Sequence, residues 1–289
     1  MNISKKINHF HIHPILWAMI AIGIVTGSFL QLIAIFLIVL IHELGHYGMA
    51  LYYRWRIRSV MLWPFGGVME TDEHHTRPLK EELAVSLAGP VQHLWLYGVI
   101  WMLGWMQWVS PSMVDLLFLY NTSILIFNLL PVWPLDGGHL LFLFLSHRFP
   151  FVKAQAYVII CSIVCIAFTV LISLLIFPFS LTIVLLACFL LWENRLEWKQ
   201  RQYTFLRYLL KRHEDRNDSV HTLHAIHVPE DMPIHHIFHR FKRGTHHHIY
   251  VLFRNQSRKV IDEGECLYYY FTLKQSSASA KDVAEWSAM

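Results

Sequence analysis

The chain has 289 residues, of which 55% are hydrophobic and 15% charged, with a formal net charge of +4. Soluble domains carry about 25% charged residues, so this composition excludes intrinsic disorder, a coiled coil and a small secreted scaffold. It indicates a polytopic α-helical membrane protein with about six transmembrane helices and room for one small soluble domain.

The apolar stretches are concentrated. Residues 7–42 and 157–192 contain no Asp, Glu, Lys or Arg, and a helix crosses a bilayer with about 20 apolar residues, so each stretch could cross twice. Lys5 and Lys6 precede the first run. That run continues well past the roughly 7–15 residues of a signal-peptide core, which predicts a retained first span over about 12–29. Further spans are expected over about 31–53, with a polar interruption at 42–46, then 83–109, 113–130, 157–176 and 180–195. The last two are joined by a turn at Phe177-Pro178-Phe179-Ser180. Between the second and third spans, Leu62 to Gly67 is too short and too rich in Gly and Pro for a helix. A β-hairpin or re-entrant loop is expected there, either an edge for an extended substrate to add to or an ordinary membrane-surface turn.

Orientation follows from the basic residues in short loops. The first 192 residues hold Lys5, Lys6, Arg54, Arg56, Arg58, Arg77, Lys80, Arg148 and Lys153. With six spans all nine fall on one side, and the connections near 30, 109–112 and 177–180 carry none. Both termini are therefore expected in the cytoplasm, and the net charge calls for no nucleic-acid partner. Cys161, Cys165 and Cys188 lie in apolar spans and Cys266 stands alone in the tail, so neither a disulfide framework nor a cysteine zinc cluster is expected.

Ionisable groups inside a span are costly and mark function. His42-Glu43-Leu44-Gly45-His46 ends an apolar run. Four residues apart on a helix, both imidazoles face one side and can reach one metal ion, with Glu43 beside them to handle a proton. Composition alone predicts only about 0.06 such matches in a chain like this. A catalytic zinc site has three protein ligands and one open position, and the best third candidate is Asp136 in Asn128-Leu-Leu-Pro-Val-Trp-Pro-Leu-Asp136-Gly-Gly. Its prolines break a helix and its glycines permit close backbone approach. Taken alone, Asp136 is as readily a helix cap at the interface. Gln92 and His93 inside the third span are expected to make helix–helix hydrogen bonds, and His11 and His13 to lie at the membrane surface.

The His-Glu-x-x-His motif, the downstream Asn…Pro-x-x-Pro-Leu-Asp-Gly-Gly and the intervening Ala88-Gly89-Pro90 resemble the site-2 protease family of intramembrane zinc metalloproteases. The resemblance implies one zinc ion held by His42, His46 and Asp136, with Glu43 as general base and then general acid. Asn128 would support the oxyanion or hold the Pro131–Pro134 loop. The arrangement of six spans and a C-terminal regulatory domain resembles the sporulation members of that family. This implies a substrate in the pro-sequence of the sigma factor pro-sigma-K, an inhibitory membrane protein complex, and a place in the mother-cell membrane around the forespore.

After residue 196 the composition changes. Residues 197–218 read as an amphipathic linker helix and 219–289 as a cytoplasmic α/β domain. Its expected elements are a strand over Val220–Val228, a helix over Met232–Arg243, a strand over Ile249–Phe253, a final helix from Gly264 and a loose tail over the last fifteen residues. This order is similar to a single cystathionine-β-synthase-type (CBS) domain. Such a domain implies an adenine nucleotide such as ATP and pairing through a homo-oligomer. His235, His236, His239 and His246–His248 read as a solvated surface rather than a second metal site. Residues 1–196 thus form the expected protease domain. Its competitors are a non-catalytic scaffold or transporter with a fortuitous motif, and a site-2-type protease acting on a different regulatory substrate.

Overall fold

The computed structural model describes residues 10–12, 23–63, 66–71, 73, 75–176, 180–214, 223–254 and 256–287. Two compact units emerge, one of Met1–Leu130 with Leu135–Leu140 and one of Pro131–Pro134 with Leu141–Met289.

In the first unit, strand β1 (Phe10–Ile12) pairs in parallel with β2 (Ile57–Trp63), which pairs antiparallel with β3 (Gly66–Thr71). The expected hairpin is therefore present, with Trp63 opposite Gly66, and its two turn residues lie outside the described residues. Helix α1 (Phe29–Tyr52) packs on α2 (Leu79–Trp105), and α2 packs on α3 (Pro111–Leu129). Ser110 accepts the Met113 N–H to cap α3, and Pro111 at the first helical position suits that start.

These helices are inside out by the standard of a soluble protein. Leu37, Trp101 and Leu119 stand exposed, whereas His42, His93 and Asn121 are buried. Such an apolar exterior suits hydrocarbon rather than water. Four described helices are long and apolar enough to cross a membrane: α1, α2, α3 and α5 (Phe151–Ile176). They coincide with the second to fifth expected spans, with α2 starting four residues earlier than expected at Leu79. Most of the first expected span, over residues 13–22, lies outside the described residues.

The helix α4 (Asp136–Arg148) follows α3 after a short irregular stretch. In the second unit, the sixth expected span and the expected linker are one helix, α6 (Leu181–Glu214). Its charge-free portion, Leu181–Trp192, rises only about 18 Å, so its length does not by itself mark a crossing. The end of the expected linker and the turn at 177–179 lie outside the described residues. Phe151 stacks on Tyr208 of α6 with ring centroids 4.5 Å apart.

The tail has the element order β4 (Leu223–Pro229), α7 (Ile234–Phe238), β5 (His246–Leu252), β6 (Arg258–Asp262), α8 (Glu263–Phe271) and α9 (Ala280–Trp286). Strand β5 runs parallel to β4 and antiparallel to β6. Ile226, Val228, Ile249, Val251 and Ile261 from the sheet bury against Ile237, Phe238, Cys266 and Val283. Three expectations need correction. The helix expected over Met232–Arg243 is a single turn, Ile234–Phe238, and Phe241, expected on the same helical face, is buried beyond its end. Strand β6 was not expected. Of the last fifteen residues, the described ones (275–287) are not loose: Ser279 and Asp282 form a capping box on α9, whose Ala280, Val283 and Ala284 are buried.

Candidate metal centre

Helix α1 carries His42 and His46 on its buried face, one turn apart, and Glu43 half-buried beside them. Asp136 opens α4, brought back to α1 by the reversal after α3. Gly137 permits this approach. A Cβ there would lie 2.2 Å from the Leu129 carbonyl oxygen and 2.3 Å from that of Leu130, both backbone atoms that cannot yield. In the second unit, the Trp133 N–H donates to Ser162 Oγ at 3.0 Å, and Asn194 Nδ2 donates to the Trp133 carbonyl at 2.7 Å.

The three donor atoms converge. Asp136 Oδ2 lies 3.0 Å from His42 Nε2 and 3.2 Å from His46 Nε2, and the two Nε2 atoms are 3.1 Å apart. Ligands at zinc–nitrogen and zinc–oxygen distances of about 2.0–2.1 Å in a tetrahedron stand about 3.3 Å from each other, so the spacing fits one zinc ion. The outer hydrogen bonds say which nitrogens are free to ligate. His46 Nδ1 lies 2.8 Å from the Val85 carbonyl, which can only accept, so Nδ1 holds the proton and Nε2 of the neutral ring presents a lone pair. A second chain does the same for His42. Asn121 Nδ2 donates to the His93 carbonyl at 3.2 Å, which orients the amide so that its Oδ1 accepts from His93 Nδ1 at 2.7 Å. His93 Nε2 is then the acceptor for His42 Nδ1–H at 3.1 Å, leaving His42 Nε2 as a lone pair. Two nitrogen lone pairs and a carboxylate oxygen at these distances need a cation between them. His₂Asp is a zinc-type donor set with an open fourth position.

Helix α2 closes one wall. A Cβ on Gly89 would fall 2.2 Å from His46 Nε2 and 2.7 Å from His42 Cε1. Pro90, inside the same helix, has no N–H to bond there. Asn128 lies half-buried in the last turn of α3 and is not among the three converging residues. His93 makes the expected interhelical bond and in addition reaches a motif histidine. Gln92 bonds within its own helix, to the Ala88 carbonyl at 3.1 Å. Asn121 and the Val85 carbonyl were not anticipated. An Asn in an apolar span, one of two there, is the only trace the first leaves in the sequence, and a backbone carbonyl leaves none.

Away from this centre, the tail histidines are not uniformly solvated as expected. His235 and His236 are exposed, but His247 is fully buried. Its Nε2 accepts the Lys242 N–H at 3.1 Å and its Nδ1 donates to Glu263 at 2.7 Å. Glu263 also forms an ion pair with Arg212 from α6.

Known proteins bear on the chain as a whole. Residues 30–114 and 105–172 match the model of peptidase family M50. Stage IV sporulation protein FB of Bacillus subtilis (strain 168) is 40% identical over 276 residues, covering 94% of this chain and 95% of that protein. A zinc metalloprotease of Methanocaldococcus jannaschii is 32% identical over 154 residues, 50% of this chain and 44% of that protein. The solved structure of the site-2 protease from Methanocaldococcus jannaschii superposes with a TM-score of 0.50 at 26% identity, covering 64% of this chain and 88% of that one. On relatives of that identity and coverage, the chain belongs to peptidase family M50, the site-2 protease family, and is a membrane metalloendopeptidase.

Proposed function

We propose that this protein hydrolyses a membrane-associated protein precursor at a single zinc ion held by His42, His46 and Asp136, with Glu43 as the proton carrier. The observation that carries this reading is the convergence of the three donor atoms at 3.0–3.2 Å, with both imidazole lone pairs facing inward. When bound, zinc would supply the Lewis acid that lowers the pKa of a water toward about 7 and polarises a carbonyl. Glu43, next to His42 on α1, takes the proton from the attacking water and returns it to the leaving amine. The Val85 carbonyl and the His93–Asn121 pair hold the two imidazoles in the tautomer that ligates. Asn128, at the end of α3, is the candidate to support the oxyanion or the loop that carries Asp136.

The similarity to Stage IV sporulation protein FB along nearly the whole chain supports a reading of the substrate. It is the pro-sequence of the sigma factor pro-sigma-K, cleaved in the mother-cell membrane around the forespore and restrained by an inhibitory membrane protein complex. Six spans place both termini in the cytoplasm, with protease (1–196), linker (197–218) and regulatory (219–289) regions. The β-α-β-β-α order from β4 to α8 supports a CBS-like tail, with adenine nucleotide and homo-oligomeric pairing as its expected ligand and partner.

Glu43→Gln keeps the zinc ligands and removes the base. Co-expressed with the pro-sigma-K precursor, it should retain one zinc at this site and lose about 10²–10⁴-fold in cleavage rate. Undiminished cleavage would overturn the assignment of Glu43. Retained metal with an untouched precursor in both native and variant chains would point to a different substrate.

A further inference from the structure

The first unit gathers a second set of ligand-type side chains, made by His75, Glu82 and His139, whose donor atoms lie within 4.8 Å of one another. We propose that this is a second divalent-metal site, and that its ion clips the start of α4 to the start of α2.

The residues come from three places. His75 stands in the turn before α2 with φ +69°, a left-handed conformation that a non-glycine residue rarely adopts. His75 is buried and stacked on His139, with centroids 5.4 Å apart and planes inclined at 28°. Glu82, in the first turn of α2, is 0% exposed. Its Oε1 accepts the Arg77 N–H at 3.2 Å, and its Oε2 is turned to His139 Nε2 at 3.9 Å.

That last distance distinguishes the two readings of the cluster. A direct charged hydrogen bond between imidazolium and carboxylate closes to about 2.7–2.9 Å. Two ligands on one ion stand further apart, about 3.3 Å for a regular tetrahedron at zinc and more where the angle opens. A gap of 3.9 Å between Glu82 Oε2 and His139 Nε2, on a buried and a nearly buried side chain, is too wide for the first, and a closure of about half an ångström brings it to the second. Burying a carboxylate is expensive, and a cation among the three side chains would offset part of that cost. Two imidazole nitrogens and one carboxylate oxygen form a donor set of borderline softness, suited to zinc and its first-row neighbours rather than to calcium or magnesium.

The location gives the ion a role. His139 follows Asp136 by three residues on α4, so the two side chains share a face one turn apart. An ion joining His139 to Glu82 and His75 would hold the first turn of α4 in place and, with it, Asp136. The second site is structural in this reading, and its residues are separate from the trio that binds the first ion.

Cobalt(II) serves as the probe, because its visible absorption reports ligation directly. The full-length chain in detergent is stripped, reloaded with Co²⁺ in the presence of a weak chelator, and counted by absorption and by elemental analysis. Above a background set by the tail histidines, the native chain should hold two equivalents. His42→Ala/His46→Ala should hold one, Glu82→Gln should hold one, and the combined variant none. The tail is unchanged in all four, so it cancels in the differences. The decisive arm leaves the second cluster intact: a His42→Ala/His46→Ala chain with no cobalt band above background would overturn the proposal. So would a Glu82→Gln chain that folds and still holds two equivalents. If Glu82→Gln fails to fold, His75→Ala provides the same count.

Discussion

Gly89 has no side chain, and the space this leaves is filled by two imidazoles. In an exposed helix interior, replacing Gly by Ala stabilises by about 1 kcal/mol, so α2 itself would favour Gly89→Ala. The new Cβ would instead collide with His46 Nε2 at 2.2 Å and His42 Cε1 at 2.7 Å, both held from behind by Val85 and His93. The expected outcome is a chain with native helicity by circular dichroism that binds little zinc at the first site and does not cleave. Full zinc occupancy in Gly89→Ala would show that the ligand rings have room to retreat. The contrast with the ligands explains what was legible beforehand. His42, Glu43, His46 and Asp136 stood out because ionisable groups are rare and costly in apolar stretches. Gly89 was visible only as part of a family pattern, since the atoms it makes room for belong to another helix. His75, Glu82 and His139 passed unnoticed because they are 64 residues apart end to end and sit in polar or ordinary local contexts.

At the scale of elements, the spans were legible and the tail was less so, for a physical reason. A transmembrane helix announces itself through a long run without charge, whereas a small soluble domain is built from short elements with few buried positions. Strand β6 buries only Ile261 of its five residues, and α9 offers only Ala280, Val283 and Ala284 as buried positions among charged residues. Where α6 meets this domain, Arg212 pairs with Glu263, donates to Tyr208 at 2.6 Å and to the Lys242 carbonyl at 3.1 Å, and also bonds the Thr245 carbonyl. Burial alone would raise the Glu263 carboxyl, but the hydrogen bond from His247 and the charge of Arg212 outweigh it and hold its pKa below the usual value. Burial lowers the pKa of His247, and the opposing bond to Glu263 does not restore it. Both shifts act in the same direction on stability. Above about pH 6.5 unfolded and folded His247 are both neutral, and nothing is lost. As pH falls below that, the unfolded chain takes up the proton first and the fold weakens. Below about 4.5 the unfolded Glu263 does likewise. Amide-exchange protection factors in β5 should therefore be flat above neutrality and fall progressively under acid, with the upper part of the fall removed in His247→Asn. Protection that rises between pH 7 and 5 would contradict this. Glu263→Gln leaves Arg212 buried against a neutral partner and should cost the tail roughly 3–5 kcal/mol.

For the whole molecule the question is which way the chain sits in the bilayer, and the proposed orientation, with cytoplasmic termini, draws on the α2–α3 connection. The turn over residues 106–110 has no Lys or Arg, and Trp101, Trp105 and Trp108 stand exposed around it. Indole rings concentrate at the membrane–water boundary, so three of them in two helical turns and the adjoining loop mark where α2 leaves the hydrocarbon. The other end of α2 is different in kind: Arg77 and Lys80 flank its start, and Arg54, Arg56 and Arg58 follow α1. Basic residues in short loops stay on the cytoplasmic side. The same end carries Glu82 and His75, so the proposed second ion lies toward the cytoplasm, whereas the first site lies at least one further turn along α2, between Val85 and His93. Substrate peptide approaching from the cytoplasm would then enter beside the β2–β3 hairpin, which shares this side. Thiol labelling tests the orientation. In a chain whose native cysteines are replaced, Ser110→Cys should react with a membrane-impermeant maleimide on intact cells, and Thr76→Cys only after the cells are permeabilised. The reverse pattern would turn the protein over, place both metal sites nearer the outside, and require a substrate that is cleaved from that face.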